Sequence, residues 1–242
     1  RIAILRHAVQ FGEDLVLFSD QVQFILRGGD LLTPKTVNIT PETEYECDPV
    51  CKPVGAGNLI YFPYPNGGFA GMREYFTEVN TGRMDANPVT AHVPKYIKGA
   101  ISHITVSTTE DMMVCMSQTS RQQLYVYKWF WAGQDKIQSS WSKWTFGTGT
   151  AVYSAFFDGS PLWLVLFRDG KVWLEKMQVD PGRTDPYLNY VTSLDRRVLV
   201  PRGTVTFDGT YSYFTAPYIP LVSETPAAFT TMDEDGGIAG RE

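Results

Sequence analysis

The sequence predicts an all-β chain: a partial β-propeller of about three to four antiparallel blades, followed by the start of another β-rich segment. Three observations carry this reading. Four short, almost wholly apolar runs recur about every 50 residues: Leu15-Val16-Leu17-Phe18, Leu59-Ile60-Tyr61-Phe62, Met112-Met113-Val114-Cys115-Met116 and Leu162-Trp163-Leu164-Val165-Leu166-Phe167. A strand with one wet face alternates between polar and apolar residues, whereas a strand covered on both faces does not. Each run is followed by a turn and a second strand-like stretch, and double-sided central strands at this period are what stacked four-stranded blades require.

The elements follow in order. The partner strands are expected at Val22 to Leu26, Met72 to Phe76, Leu124 to Trp131 and Val172 to Met177. The third alternates, with Tyr125, Tyr127, Trp129 and Trp131 on one face and Leu124, Val126 and Lys128 on the other. Asn66-Gly67, Asp158-Gly159 and Asp169-Gly170 supply the positive φ that tight hairpin turns need. Innermost strands are expected at Ile2 to Phe11, Ile101 to Thr108 and Ala151 to Phe157. These make about three and a half blades, so the chain should be an arc of something larger, because a propeller closes with at least ~4 blades. An ordinary β-sandwich also gives short strands and regular turns.

The blades are expected to occupy residues 1–195, with a second β-rich domain and a tail over 196–242. Thr204 to Phe207 and Thr210 to Thr215 flank Asp208-Gly209 as in a hairpin, but no double-sided apolar run marks a blade there. The stretch from Ser223 to Glu242, rich in small and acidic residues, fits no element. A start at Arg1 within a strand-like pattern, without an initiator Met, suggests a piece of a longer polypeptide.

Composition limits the chemistry. High aromatic content, 15 prolines and 21 glycines suit an all-β protein with many turns. No apolar run approaches the ~20 residues of a membrane helix. A net charge of −5 with no Lys/Arg stripe speaks against nucleic-acid binding by counterion release, whereas a neutral or acidic wall lets DNA pass without sticking. Cys47, Cys51 and Cys115 are too few for a disulfide framework, and His7, His92 and His103 have no Cys-x-x-Cys to join, so neither metal nor cofactor is expected. The cysteines read as buried, reduced side chains.

Catalytic signatures are absent from the sequence: there is no Gly-x-Ser-x-Gly, no His-Glu-x-x-His and no phosphate-cradling glycine loop. Gly55 to Gly57 reads as turn chemistry, in a loop running into a strand. Glu42, Glu44, Glu46 and Asp48 could in principle furnish a glycosidase pair, but acids at every second position on an edge read better as a solvated face. Asp169 to Trp173 resembles the Asp-box turn of sialidase propellers but lacks the residue between Asp and Gly.

Several longer strings bear on identity. They are RIAIL with His7-Ala8-Val9, SDQVQFIL from Ser19, TPKTVNIT from Thr33, NLIYF from Asn58, MREYF from Met72, AHVPKYIKGA from Ala91, YVYKWFW from Tyr125 and QSSWSKWTFG from Gln138. In order and spacing they resemble the tail nozzle proteins (tail tubular protein B) of short-tailed podoviruses over roughly residues 1–200, thinning beyond Asp195-Arg196-Arg197.

The resemblance implies a non-enzymatic virion component, assembled in the host cytoplasm. It would be the propeller region of a homohexameric ring below a tail adaptor, supporting tail fibres and forming part of the channel through which genomic DNA leaves without specific binding. Family chains are several times longer, and no catalytic, cofactor or metal residue carries over. Under the resemblance, Trp141, Trp144 and Phe146 become strand-closing aromatics and His92-Val93-Pro94 a rigid connector between blades. Two other classes compete. A glycan hydrolase acting on the host envelope predicts converging carboxylates at the propeller mouth. A cellular interaction propeller predicts Trp-Asp or Kelch signatures, which the sequence lacks.

Overall fold

The double-sided apolar runs become the second strands of successive sheets in a computed structural model that describes residues 3–28, 33–133, 135–179 and 206–213. The first sheet is an antiparallel meander of β1 (Leu5–Phe11), β2 (Asp14–Ser19), β3 (Gln23–Arg27) and β4 (Asn38–Thr43). In the second, β5 (Val54–Ala56), β6 (Leu59–Asn66), β7 (Phe69–Thr77) and β8 (Met84–Pro88) run in the same order. There β8 pairs with Arg73–Thr77 of β7, and β9 (Ile97–Lys98) pairs with Phe69 and Ala70. The third sheet holds β10 (Ile101–Ser107), β11 (Met112–Ser117), β12 (Gln123–Ala132) and β13 (Asp135–Thr145). The fourth comprises β14 (Ala151–Phe157), β15 (Leu162–Arg168) and β16 (Lys171–Met177). No helix occurs among the described residues.

The turns work as their chemistry requires. Gly67 and Gly68 at the β6–β7 turn have φ of 54° and 87°, and Asp169 and Gly170 at the β15–β16 turn have 52° and 73°. Two consecutive positive φ values match a two-residue turn to the twist of its strands.

Packing between the sheets defines a propeller arc. The first strands are neighbours in series: β1 beside β5, β5 beside β10, and β10 beside β14. A side chain on Gly55 would lie 3.6 Å from Val9 Cγ1 and 3.7 Å from the Gln10 carbonyl, so the innermost strands of the first two sheets pass close together. Gly55 is thus a strand residue, a correction to its reading as a turn; Gly57, at φ 61°, makes the turn. With three residues and no large side chain, β5 carries no strand signal of its own.

Three cores fill the junctions, and the runs of β6 and β11 each divide their side chains between two of them. Ile60 and Phe62 of β6 join Val16, Phe18 and Ile25 of the first sheet. Tyr61, between them in sequence, joins Met113, Cys115, Tyr125 and Tyr127 of the third. In β11, Met112, Val114 and Met116 turn instead to Val152, Leu162, Leu164 and Leu166 of the fourth. The alternation predicted for the third partner strand holds: Tyr125, Tyr127 and Trp129 enter one core, Leu124 and Val126 the next.

One expectation is corrected. Residues 162–167 are not buried on both faces: Leu162, Leu164 and Leu166 are buried, while Trp163, Val165 and Phe167 are half-buried. Only one face of this last sheet is packed against another sheet among the described residues. The other face carries exposed Tyr153, Phe156, Val172 and Leu174. Leu164→Ala should therefore cost about 2–5 kcal/mol, and Val165→Ala, one residue on, less than half as much, as read from urea denaturation midpoints. Equal losses would contradict the one-sided sheet.

The chain divides into two compact units, Arg1–Asp180 and Pro181–Glu242. Within the second, the described part is a hairpin of β17 (Thr206–Phe207) and β18 (Ser212–Tyr213). Asp208 organises its turn: Oδ1 accepts from the Thr210 and Tyr211 amides, each at 2.8 Å, and Oδ2 from the Tyr213 hydroxyl at 2.6 Å. The expected boundary at 195/196 and the segment from Ser223 lie outside the described residues.

Candidate assembly surface

The cores leave polar side chains to tie blade to blade, and two of these ties repeat. His7 of β1 and His103 of β10 each sit third in an innermost strand, just after an irregularity in register, between Leu5 and His7 and between Ile101 and His103. Each imidazole reaches the neighbouring blade: His7 Nε2 lies 3.0 Å from the Pro49 carbonyl and His103 Nε2 2.9 Å from the Ala155 carbonyl. A carbonyl only accepts, so Nε2 carries the proton in both rings. The extra residue at each irregularity, Arg6 or Ser102, immediately precedes the histidine, which stays in the ladder opposite Phe18 or Met116. Nearby, the Phe157 amide donates to Thr105 Oγ1 at 3.3 Å, a second tie between the last two blades.

The junction of the second and third sheets holds a buried charge pair. Glu74 of β7, 6% exposed, accepts from the Tyr61 hydroxyl at 2.8 Å and from Lys136 Nζ of β13. The ammonium also lies 4.9 Å from the Trp131 ring centroid and 5.8 Å from that of Tyr127. Burial, reinforced by the Glu74 charge, raises the Tyr61 phenol far above its ordinary range and pushes Tyr127 up to about 12. Both phenols thus stay protonated, and that of Tyr61 serves as a donor.

Arg73 of β7 lies between two rings, its guanidinium 4.8 Å from the Tyr45 centroid and 4.6 Å from that of Tyr64. Tyr64 in turn lies flat on Gly71, where a side chain would come within 2.1 Å of the ring. The Tyr45 hydroxyl donates to Asp85 Oδ1, a bond that raises the phenol and lowers the carboxyl.

The residues singled out from sequence are placed as follows. Glu44 and Glu46 are exposed and Glu42 half-buried, but Asp48 is only 9% exposed. Its Oδ1 accepts from the Val50 amide at 2.9 Å, so it shapes a turn instead of joining a solvated acidic face. Cys47, Cys51 and Cys115 are all free and buried. Burial pushes the Cys47 and Cys51 thiols up to about 12 and Cys115 well above its ordinary value. A thiol reagent at pH 8 should leave all three unmodified in the folded chain and modify all three in denaturant; fast labelling of the folded chain would contradict this burial.

His92 is exposed, and the segment that holds it links β8 to β9 within the second sheet, a correction to its reading as a connector between blades; there the Val93 amide bonds to the Thr90 carbonyl and the Tyr96 amide to that of Val93. Trp141 packs on one core and donates Nε1 to the Val89 carbonyl at 2.9 Å, while Trp144 and Phe146 pack on the next. At Asp169 to Trp173 the Asp-Gly pair makes the β15–β16 turn, and Trp173 donates Nε1 to the Arg168 carbonyl at 3.3 Å. No group of three or more His, Cys, Asp or Glu among the described residues is arranged to hold a metal ion.

The surface therefore offers strand edges and sheet faces. The bacteriophage nozzle protein family matches residues 1–241. The tail tubular protein gp12 of Escherichia phage T7 is 28% identical over 246 residues, covering 98% of this chain and 30% of that protein. The chain thus spans about a third of the length of this relative. Among solved structures, Hsv2 from Kluyveromyces lactis is similar at 14% identity and a TM-score of 0.45, over 84% of this chain and 60% of that one.

Proposed function

The chain belongs to the bacteriophage nozzle protein family and is a structural component of the phage tail, hence of the virion, and we propose that it forms the propeller region of a hexameric nozzle through which the genome is ejected. The observation that carries the proposal is the family match over 1–241, on a chain built as an arc of blades with interlocked cores. Such an arc is a rigid wall element: each blade is fixed to the next by a dry core and by side-chain ties such as His103 to Ala155. In this reading the longer protein carries the ring below a tail adaptor, offers attachment to tail fibres, and lets DNA pass without specific contact. The acidic balance of the chain, −5, supports passage without adhesion.

The same reading makes the chain non-enzymatic, with no catalytic, cofactor or metal residues. Purified protein should show no turnover of peptidoglycan, capsular polysaccharide or lipopolysaccharide above a heat-denatured control. Turnover abolished by replacing Glu42, Glu44, Glu46 or Asp48 would instead assign a glycan hydrolase. The structural role is tested by an amber mutation in the gene. Tails should then stop short below the adaptor and be completed by adding purified full-length protein; complete tails without it would refute the role.

A further inference from the structure

The outer edges of the sheets differ in how they are guarded against pairing with another chain. An edge strand with one neighbour directs the N–H and C=O of every second residue outward, and proteins blunt such edges by shortness, proline or charge. Here β4 has six residues and contains Pro41, β8 has five and ends at Pro88, and β16 has seven with Lys171 and Lys176. By contrast β13 has eleven, from Asp135 to Thr145, and no proline. It pairs with β12 along its whole length, from Ala132↔Asp135 to Gln123↔Thr145. Its other edge has no strand partner among the described residues. About five residues thus present unpaired backbone groups in a row.

The surroundings suit an incoming strand. Gln138, Ser139, Ser140 and Ser142 are exposed, small or polar, and leave the edge sterically open. At the far end of the β12–β13 ribbon, beyond the point where β11 stops pairing at Lys128, Phe130 and Ile137 are 52% and 63% exposed. Of the two lysines of β13, Lys136 is drawn into the junction by Glu74, and the Lys143 ammonium lies over rings, 5.3 Å from the Tyr96 centroid and 5.7 Å from that of Tyr125, so neither blocks the open backbone edge. The ribbon is thereby held in one position before any partner arrives, which lowers the ordering cost of binding. Lys128 and Lys143 are exposed beside the edge, against the single carboxylate of Asp135.

We propose that the outer edge of β13 is a docking site that accepts an extended, carboxylate-bearing segment of another tail protein as a fifth strand. Backbone bonds supply the pairing, Phe130 and Ile137 an apolar anchor, and Lys128 and Lys143 the preference for acid. The inference rests on the tail-structural reading for its choice of particle, so the test separates the two. Mass spectrometry of purified tails first asks whether the protein is present, and its absence would overturn both.

Hydrogen exchange is then compared between the free full-length protein and assembled tails. Outward amides within 135–145 should exchange freely in the former and at least about tenfold more slowly in the latter. Of Ser139→Pro and Ser140→Pro, the variant whose lost N–H points outward should fold normally yet lose that protection. Lys128→Glu with Lys143→Glu should weaken it too. Equal exchange in both states, with the protein present, overturns the docking site and leaves the structural reading standing. So does a disulfide joining two copies that carry Ser140→Cys, which would assign the edge to a second copy of this chain.

Discussion

Glu74→Met should destabilise the chain by about 3–5 kcal/mol, because it leaves the Lys136 ammonium without its carboxylate and the Tyr61 hydroxyl without an acceptor. Glu74 and Lys136 side chains are 7% and 17% exposed, so solvent does little to compensate. The pair joins β7 of the second sheet to β13 of the third, so its loss also loosens the ribbon that carries Phe130 and Ile137. Lys136→Met should cost a similar amount. The double replacement Glu74→Met with Lys136→Met should recover most of it, since neither charge is then stranded. Urea denaturation of the four proteins forms a double-mutant cycle. Losses that simply add would show that the two charges do not interact.

A loss of similar size, about 3–5 kcal/mol, is expected from Phe62→Ala. The Phe62 ring is fully buried, with centroids 5.2 Å from Phe18 and 6.3 Å from Tyr75. Truncation leaves a void where the first two blades meet, and the close-packed neighbours of that core cannot fully collapse into it. Ile60, next but one along β6, lines the same core, so Ile60→Val should cost only about 0.5–1.5 kcal/mol. A Phe62→Ala protein with an unchanged midpoint would contradict the blade-on-blade core.

Much of this architecture was legible because burial on two faces leaves a direct trace in sequence. Residues 112–116 cannot alternate when Met113 and Cys115 face one blade while Val114 and Met116 face the next. The same logic misled at 162–167, where Trp163, Val165 and Phe167 are apolar yet face no other sheet among the described residues. Sequence records that a face is apolar, not what covers it. The strand around Gly55 left no trace, since three residues with two small side chains carry no period.

The junction ties were illegible for another reason. His7 and His103 occur in the dissimilar strings LRHAVQF and ISHITVS, and only the shared register irregularity and cross-blade carbonyl reveal that they do the same work. Glu74 and Lys136 are 62 residues apart, and nothing local marks them as a pair. Asp48 was misread because a turn-forming carboxylate and a solvated one look alike until their amide partners are placed.

The proposed place of this chain in the wall of a ring-shaped nozzle can be checked by the mass of the full-length protein in solution, measured by light scattering and verified by electron microscopy. A closed particle of six chains with a central channel is expected. A stable monomer or dimer that forms no ring under any condition supporting tail assembly would contradict it.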